Sequence, residues 1–394
     1  MVDAKGSGDP AFDALVTLTD PWLLGREQEL RRRLIALSPL DWSAVLATAE
    51  RHRVTPLLAE HVKAVGIEGD SCLALPETCA LTLHRRAREA LALELAAFAE
   101  LRRLTGLLGS NGIAFLVFKG LALSQLCFGK LGVRVNRDID ILIAPESLDR
   151  ADALLAASGY RRVEPAEDAD HTEIEQAKQR VKDWVYVHEA RSTILEVHYR
   201  LFDNPWLCDR EILSRSRTIT LFGQLDVPTL SVEDELPYLA LHGAMHAWSR
   251  LKWLLDFAIL LRDRPPSEIA DALRQAKAGP EACAMHQAVS LTWRLFSPRT
   301  PEPRENRPWR TRIIANAAMH TLSAYGAREI EDTGFGTTLK SASHYFLWSK
   351  PRYLAAEFRF DITYHSDDKP RYGLPFWLWR PLSWIGRHLR RRQT

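Results

Sequence analysis

The segment Arg137-Asp138-Ile139-Asp140-Ile141-Leu142-Ile143 constrains the fold of this chain more than any other. Aliphatic residues around two acids read as a buried strand, and on a strand residues i and i+2 point to the same side. Asp138 and Asp140 then share one face, with Ile139 and Ile141 on the other. Two carboxylates so close repel unless a positive charge lies between them, and hard oxygen ligands suit magnesium. A paired-carboxylate metal site beside basic residues is what phosphoryl and nucleotidyl transfer needs.

The flanking sequence extends this reading. Ile113-Ala114-Phe115-Leu116-Val117-Phe118 is a continuous apolar run that reads as a strand. Lys119-Gly120 ends it, and Leu121 to Leu126 reads as a helix. A strand, a glycine turn and a helix N-terminus make a phosphate cradle, because free backbone N–H groups point at the anion. Lys119 either adds a charge to that cradle or is a surface lysine at a strand end. Arg134 and Arg137, just before the acids, are candidates for further phosphate oxygens. A third acid, Glu196, lies in the apolar stretch Ile194-Leu195-Glu196-Val197-His198, where it shares a face with His198. A carboxylate embedded in such a strand asks for a cation or a basic neighbour. His198 reads as a hydrogen-bonding residue at the edge of the site.

Phe118-Lys119-Gly120, Arg134, Asp138-Ile139-Asp140-Ile141-Leu142 and Leu195-Glu196-Val197-His198 together resemble the polymerase-β-like nucleotidyltransferase superfamily. Within it the chain is similar to a poorly characterised bacterial nucleotidyltransferase family with a Lys-Gly motif and a helical C-terminal region. Leu241-His242-Gly243-Ala244-Met245-His246-Ala247-Trp248, continuing through Lys252-Trp253-Leu254-Leu255-Asp256, looks like that family's helical motif. The resemblance covers roughly residues 95–260. It implies an α+β fold: a small mixed β-sheet core with helices, flanked by N-terminal and C-terminal helical regions. It also implies that Asp138, Asp140 and Glu196 hold two metal ions, Mg²⁺ or Mn²⁺, and carry catalysis. Lys119, Gly120, Arg134, Arg137 and Lys252 are the expected nucleotide-binding residues. The implied reaction moves NMP from an NTP, ATP first, to a hydroxyl of an unidentified acceptor, with release of pyrophosphate. The chain departs from the superfamily in having Lys119-Gly120 where Gly-Gly or Gly-Ser is common, and Glu196 where Asp is more frequent. Its interval from Gly120 to Asp138 is also longer than usual.

Two further pairs invite alternatives. His242 and His246 stand at i, i+4 on one helical face, a spacing zinc sites use. The Glu of a His-Glu-x-x-His motif is absent, so a polar stripe where helix meets catalytic core is the plainer reading. Lys252 and Asp256 repeat the spacing and either pair with each other or leave Lys252 for the phosphates.

Composition bounds the rest. With 394 residues, 46% of them hydrophobic, the chain has material for two or three domains and a full core. A net charge of +2 is too balanced for general nucleic-acid binding, so no DNA partner is expected and RNA is not favoured. Cys72, Cys79, Cys127, Cys208 and Cys283 are scattered without a Cys-x-x-Cys, which fits a reducing cytoplasm. Neither a signal peptide nor a transmembrane run is legible.

Residues 1–110 read as a helical region, with Leu and Ala at helical spacing from Gly25 to Leu37 and from Ala80 to Leu108. Residues 111–230 alternate strands and helices. A helix from Pro145 to Ala157 ends at Gly159, strands run from Asp183 to His188 and Thr193 to His198, and a hairpin turns about Phe222-Gly223. Residues 231–394 return to helices and end in an aromatic and basic tail, residues 374–394. The tail reads as packing plus a solvated basic end, with peripheral membrane contact as the alternative. The function classes left open are an enzyme acting on a small molecule, peptide or glycan in biosynthesis, a toxin-like enzyme modifying RNA or protein, and a catalytically inactive nucleotide-binding scaffold.

Overall fold

A computed structural model describes residues 8–67, 73–207, 209, 211–275, 280–298, 300–303 and 307–324, with 326, 328, 347, 354 and 355 beyond them. The tail at 374–394, Cys72 and Cys208 lie outside the described residues.

Five helices lead into the sheet. α1 (Pro10–Thr19) has proline at its first position, and the Asp9 carboxylate accepts from the N–H groups of Ala11 and Phe12. α2 (Glu27–Ala36) follows, then α3 (Trp42–Arg51), whose Asp41 cap accepts from the Ala44 N–H. α4 (Thr55–Val65) stops at Gly66, which supplies the left-handed turn. α5 (Glu77–Ser110) has 34 residues, about 50 Å of helix. Its Cys79 and Leu83 face one hydrophobic core, and Phe98, Leu101, Leu104 and Leu108 face a second.

The sheet begins with β1 (Phe115–Val117), α6 (Gly120–Phe128) and β2 (Ile139–Ile143). Then come α7 (Leu148–Ala157), β3 (Arg161–Glu164), α8 (His171–Arg180), β4 (Asp183–His188) and β5 (Thr193–His198). The strand order is β1-β2-β5-β4-β3, with β2 and β5 parallel and the other pairs antiparallel. Period-two alternation divides the side chains. Ile139, Ile141, Ile143, Leu195, Val197, Trp184 and Tyr186 join the second core, under α5 and α7. Leu116, Phe118 and Leu142 join the first core on the opposite face. Asp140, Glu196 and His198 fall on that opposite face too. Register places Asp140 beside Glu196, and His198 beside both Leu142 and Asp183.

A two-stranded hairpin, β6 (Arg217–Leu221) and β7 (Leu225–Thr229), leads to α9 (Val232–Met245), capped by Ser231, and α10 (Leu251–Arg262). α11 (Pro266–Gln275), α12 (Pro280–Leu295) and α13 (Arg310–Ser323) complete the described elements. Helices on either side of the sheet in sequence share the first core: Phe12, Leu15, Trp42 and Leu57 cluster with Trp248, Phe257, Leu291 and Ile314. The Arg51 guanidinium reinforces this by donating to the carbonyls of Leu322 (3.0 Å) and Thr321 (2.6 Å). Between α9 and α10 the chain reverses through Ala247 and Trp248, at φ 49° and 51°. This folds the fully buried Trp248 ring back onto Gly243, where an added Cβ would lie 2.3 Å from it.

The structure refines several expectations. β2 starts at Ile139, so Asp138 precedes the strand rather than alternating within it. Only Phe115–Val117 of the 113–118 run is strand. Pro145–Ser147 is a 3₁₀ turn and the α-helix starts at Leu148. β3 and α8 were not legible, because Arg161–Glu164 carries three charges in four residues and α8 buries no side chain. No described helix is long and apolar enough to cross a membrane.

Candidate active site

The parallel pair β2 and β5 sets one ligand atom each of Asp140, Glu196 and His198 within 4.8 Å of one another. His198 Nε2 lies 3.1 Å from Asp140 Oδ1, 3.2 Å from Glu196 Oε2 and 3.4 Å from Asp183 Oδ2. The ring is fully buried, edge-on to Phe118 at 4.9 Å. Burial and the Lys119 charge push its pKa down, but Asp183, Asp140 and Glu196 outweigh them and hold it above its ordinary value. Its Nδ1 is buried with no hydrogen-bond partner among the described residues.

Lys119 enters from the turn between β1 and α6. Its backbone sits at φ 60°, ψ −148°, close to a region that essentially only glycine adopts. That conformation aims Nζ at Asp140 Oδ1, 2.6 Å away, with the side chain 16% exposed. Burial pulls the Asp140 carboxyl up. Lys119 and His198 overcome that pull and keep it ionised, far below the usual carboxylate range. The ammonium that the sequence offered as a phosphate contact thus rests among the acids. Gly120, at φ 36°, passes under Asp138 with room for no more than van der Waals contact to its carbonyl, 3.6 Å from an added Cβ. The first turn of α6 has no side-chain cap, which leaves its N–H groups available to an anion, and Lys119 and Gly120 at its start line the cleft.

The loop between α6 and β2 is organised by a residue the sequence gave no reason to single out. Glu94 of α5 is completely buried and accepts from Ser124 Oγ, the Gly132 N–H and Asn136 Nδ2. Asn136 accepts in turn from Arg134. The Arg134 guanidinium forks onto Asp256 of α10, with Nε 3.0 Å from Oδ1 and the second nitrogen 2.9 Å from Oδ2. Arg134, expected to hold phosphate, therefore ties the loop to α10. Of the two readings of Lys252, the pair with Asp256 is not formed, since Arg134 takes Asp256 and Lys252 Nζ donates to the Val135 carbonyl at 2.7 Å. Arg137 is exposed at the rim. Asp138 is partly covered, and burial together with the charges of Asp140 and Glu196 raises its pKa.

A cleft of about 420 Å³ gathers these groups. Asp138, Asp140, Glu196, Lys119, Gly120, Arg134, Arg137 and Lys252 all line it. Arg53, Lys182, Asp203, Tyr238 and Trp253 line it too, and sequence reasoning did not single them out. Lys182 carries the one legible signal among them, as it immediately precedes the strand whose Asp183 pairs in register with His198. His242 and His246 meet edge to face in the wall at 4.7 Å between ring centroids, with His242 stacked on Tyr238 and His246 tilted against Trp253. Burial keeps His242 neutral. Among the described residues neither histidine belongs to a group able to hold a metal.

The donor set suits a divalent cation. Two carboxylates and an imidazole converge beside Lys119, Asp138 and Asp183 add acid around them, and Lys182 pairs with Asp183 at 2.9 Å. This triad differs by one member from the one the sequence named: His198 is inside it and Asp138 stands beside it. Residues 38–297 match a family model described as an uncharacterised nucleotidyltransferase. No curated protein matches the chain.

Proposed function

The chain belongs to the uncharacterised nucleotidyltransferase family, whose model spans about two thirds of it, and on that premise we propose that it transfers NMP from an NTP to an acceptor hydroxyl, releasing pyrophosphate. The observation that carries this reading is the meeting of strand-borne acids with basic residues in one cleft. Asp140, Glu196 and His198 would hold a divalent cation, Mg²⁺ in the first instance, with Asp138 as the further acid ligand beside them. Such an ion supplies charge neutralisation on the phosphates and lowers the pKa of a bound hydroxyl. The chain's own residues orient the reactants. The uncapped first turn of α6 takes phosphate oxygens, with Lys119 adjacent, and Arg134 and Asp256 fix the loop that presents Asp138. Trp253, half-buried in the wall, gives a base an aromatic surface to stack on. That surface accepts any of the four bases, and ATP is the first candidate donor. The acceptor is a small molecule, peptide or glycan.

Calorimetry with each NTP, with and without Mg²⁺, tests the site on wild type, Asp138→Ala and Asp140→Ala. Asp140→Asn is included because it keeps the buried shape. Metal-dependent binding is expected in wild type and lost in the variants. A pyrophosphate-release assay should fall at least about 100-fold with them. Unchanged turnover in both alanine variants would sink the reading.

A further inference from the structure

We infer that Arg53, carried by the N-terminal helices, forms with Lys252 a seat for the terminal phosphates of the nucleotide; this rests on the nucleotidyl-transfer reading above. The first support is how α3 ends. The Arg53 N–H donates to the Glu50 carbonyl and the Val54 N–H to the Ala49 carbonyl, both at 3.0 Å, and Arg53 takes φ 57°. Helices usually give that position to glycine. An arginine kept there despite its Cβ points to a use for the side chain, and Arg53 lines the cleft. Lys119 repeats the pattern: a second basic residue at positive φ facing the same cleft.

The second support is docking. The end of α3 is stapled to the start of α10. His52 Nδ1 accepts from the Leu251 N–H at 3.0 Å, the His52 carbonyl accepts from the Lys252 N–H at 3.4 Å, and the Arg250 guanidinium donates to the Arg51 carbonyl. His52 is buried and neutral, so it can cap the N–H groups that open α10. Arg53 and Lys252 therefore project from directly joined backbone into one wall of the cleft.

The third support is charge. Arg53 and Arg134 both stand within electrostatic reach of Lys252. Of the carboxylates that act on Lys252, Asp256 is already forked by Arg134, and Asp138 stands with the acids of the cleft. Burial and the Arg134 charge, with Arg53 adding to them, hold the Lys252 amine down to about 7 against the pull of Asp256 and Asp138. Cations crowded to that degree form a site that gains from a multivalent anion. A guanidinium suits it, since its fork matches two phosphate oxygens. The acids of β2 and β5 face the same cleft and mark the reacting end, so the wall built by Arg53 and Lys252 falls to the tail of the triphosphate.

Calorimetry with inorganic tripolyphosphate and Mg²⁺, and separately with AMP, decides the matter on wild type, Arg53→Gly and Arg53→Lys. Glycine suits the φ at this position, so Arg53→Gly retains the fold. The expected result is about a ten-fold loss of tripolyphosphate affinity in Arg53→Gly, a smaller loss in Arg53→Lys, and AMP affinity unchanged. Equal tripolyphosphate binding by wild type and Arg53→Gly would overturn the assignment while leaving the nucleotide site standing. An equal loss of AMP affinity would overturn it too, by showing that Arg53 shapes the cleft rather than holding phosphate. Failure of wild type to bind tripolyphosphate or any NTP would bring down both this inference and the function beneath it.

Discussion

Lys119 is the residue whose replacement tests most of the site at once, because its backbone and its charge pull stability in opposite directions. Its φ of 60° and ψ of −148° cost about 1–3 kcal/mol for a residue with a Cβ. Its ammonium, 2.6 Å from a buried Asp140, offsets that cost. Lys119→Met keeps the length and the strain and removes the charge. Breaking a buried pair costs about 3–5 kcal/mol. The low end applies here, because His198 Nε2 still reaches the same carboxylate oxygen at 3.1 Å. Lys119→Gly removes both charge and strain, while the glycine loses about 1 kcal/mol more to backbone entropy. Urea unfolding in a chelator should thus find Lys119→Met about 3 kcal/mol less stable than wild type and Lys119→Gly intermediate. Added Mn²⁺ brings positive charge to the acids that have lost theirs. It should stabilise both variants more than wild type, in which the ammonium competes for Asp140. A Lys119→Met protein as stable as wild type would mean that the ammonium is not on Asp140. A Lys119→Gly protein less stable than Lys119→Met would remove the claim of strain.

Two other perturbations probe the frame around the cleft. Gly243→Ala normally favours a helix interior by about 1 kcal/mol, but the methyl would meet the Trp248 ring at 2.3 Å, so a loss of about 1–3 kcal/mol is expected by urea titration. His52 is buried and its pKa is lowered well below the ordinary value, by burial first and then by Arg51 and Arg250. The unfolded chain therefore binds a proton that the folded chain refuses. Stability should fall as pH drops below about 6.5, by up to about 1.4 kcal/mol per pH unit for this group. His52→Gln should flatten that component between pH 6.5 and 5, and an unaltered slope would show that His52 does not carry it.

What the sequence made readable was local. Period two placed Glu196 and His198 on one face from four consecutive letters, and Lys119-Gly120 marked a turn between strand and helix. The same rule faltered at Asp138, since nothing in Arg137-Asp138-Ile139 says where pairing begins, and β2 pairs with β5 only from Ile139. The partners of Arg134 were invisible for a related reason. Asp256 lies 122 residues away, so the nearer Lys252–Asp256 spacing was the pairing that local rules could offer. Glu94 was hidden among the acids of a long helix, and only its complete burial against Ser124, Gly132 and Asn136 distinguishes it.

The same contrast explains why the two halves of the cleft differ in legibility. The acids occupy strands, where alternation within a few residues decides what faces the core and what faces the cleft. The basic wall is assembled by tertiary contact, from the end of α3 and the start of α10, joined by a hydrogen bond between residues 199 apart. No periodicity connects Arg53 to Lys252. Their only local sign is conformational, a left-handed arginine where glycine is usual, and that sign exists in dihedral angles rather than in letters. The N-terminal helices, which read from sequence as a flanking region, share the core of α9 to α13 and bring a charged side chain to the cleft. Anything that loosens α3 from α10 should therefore be felt first at the basic wall, while the acids, held by the pairing of β2 and β5, stay in register.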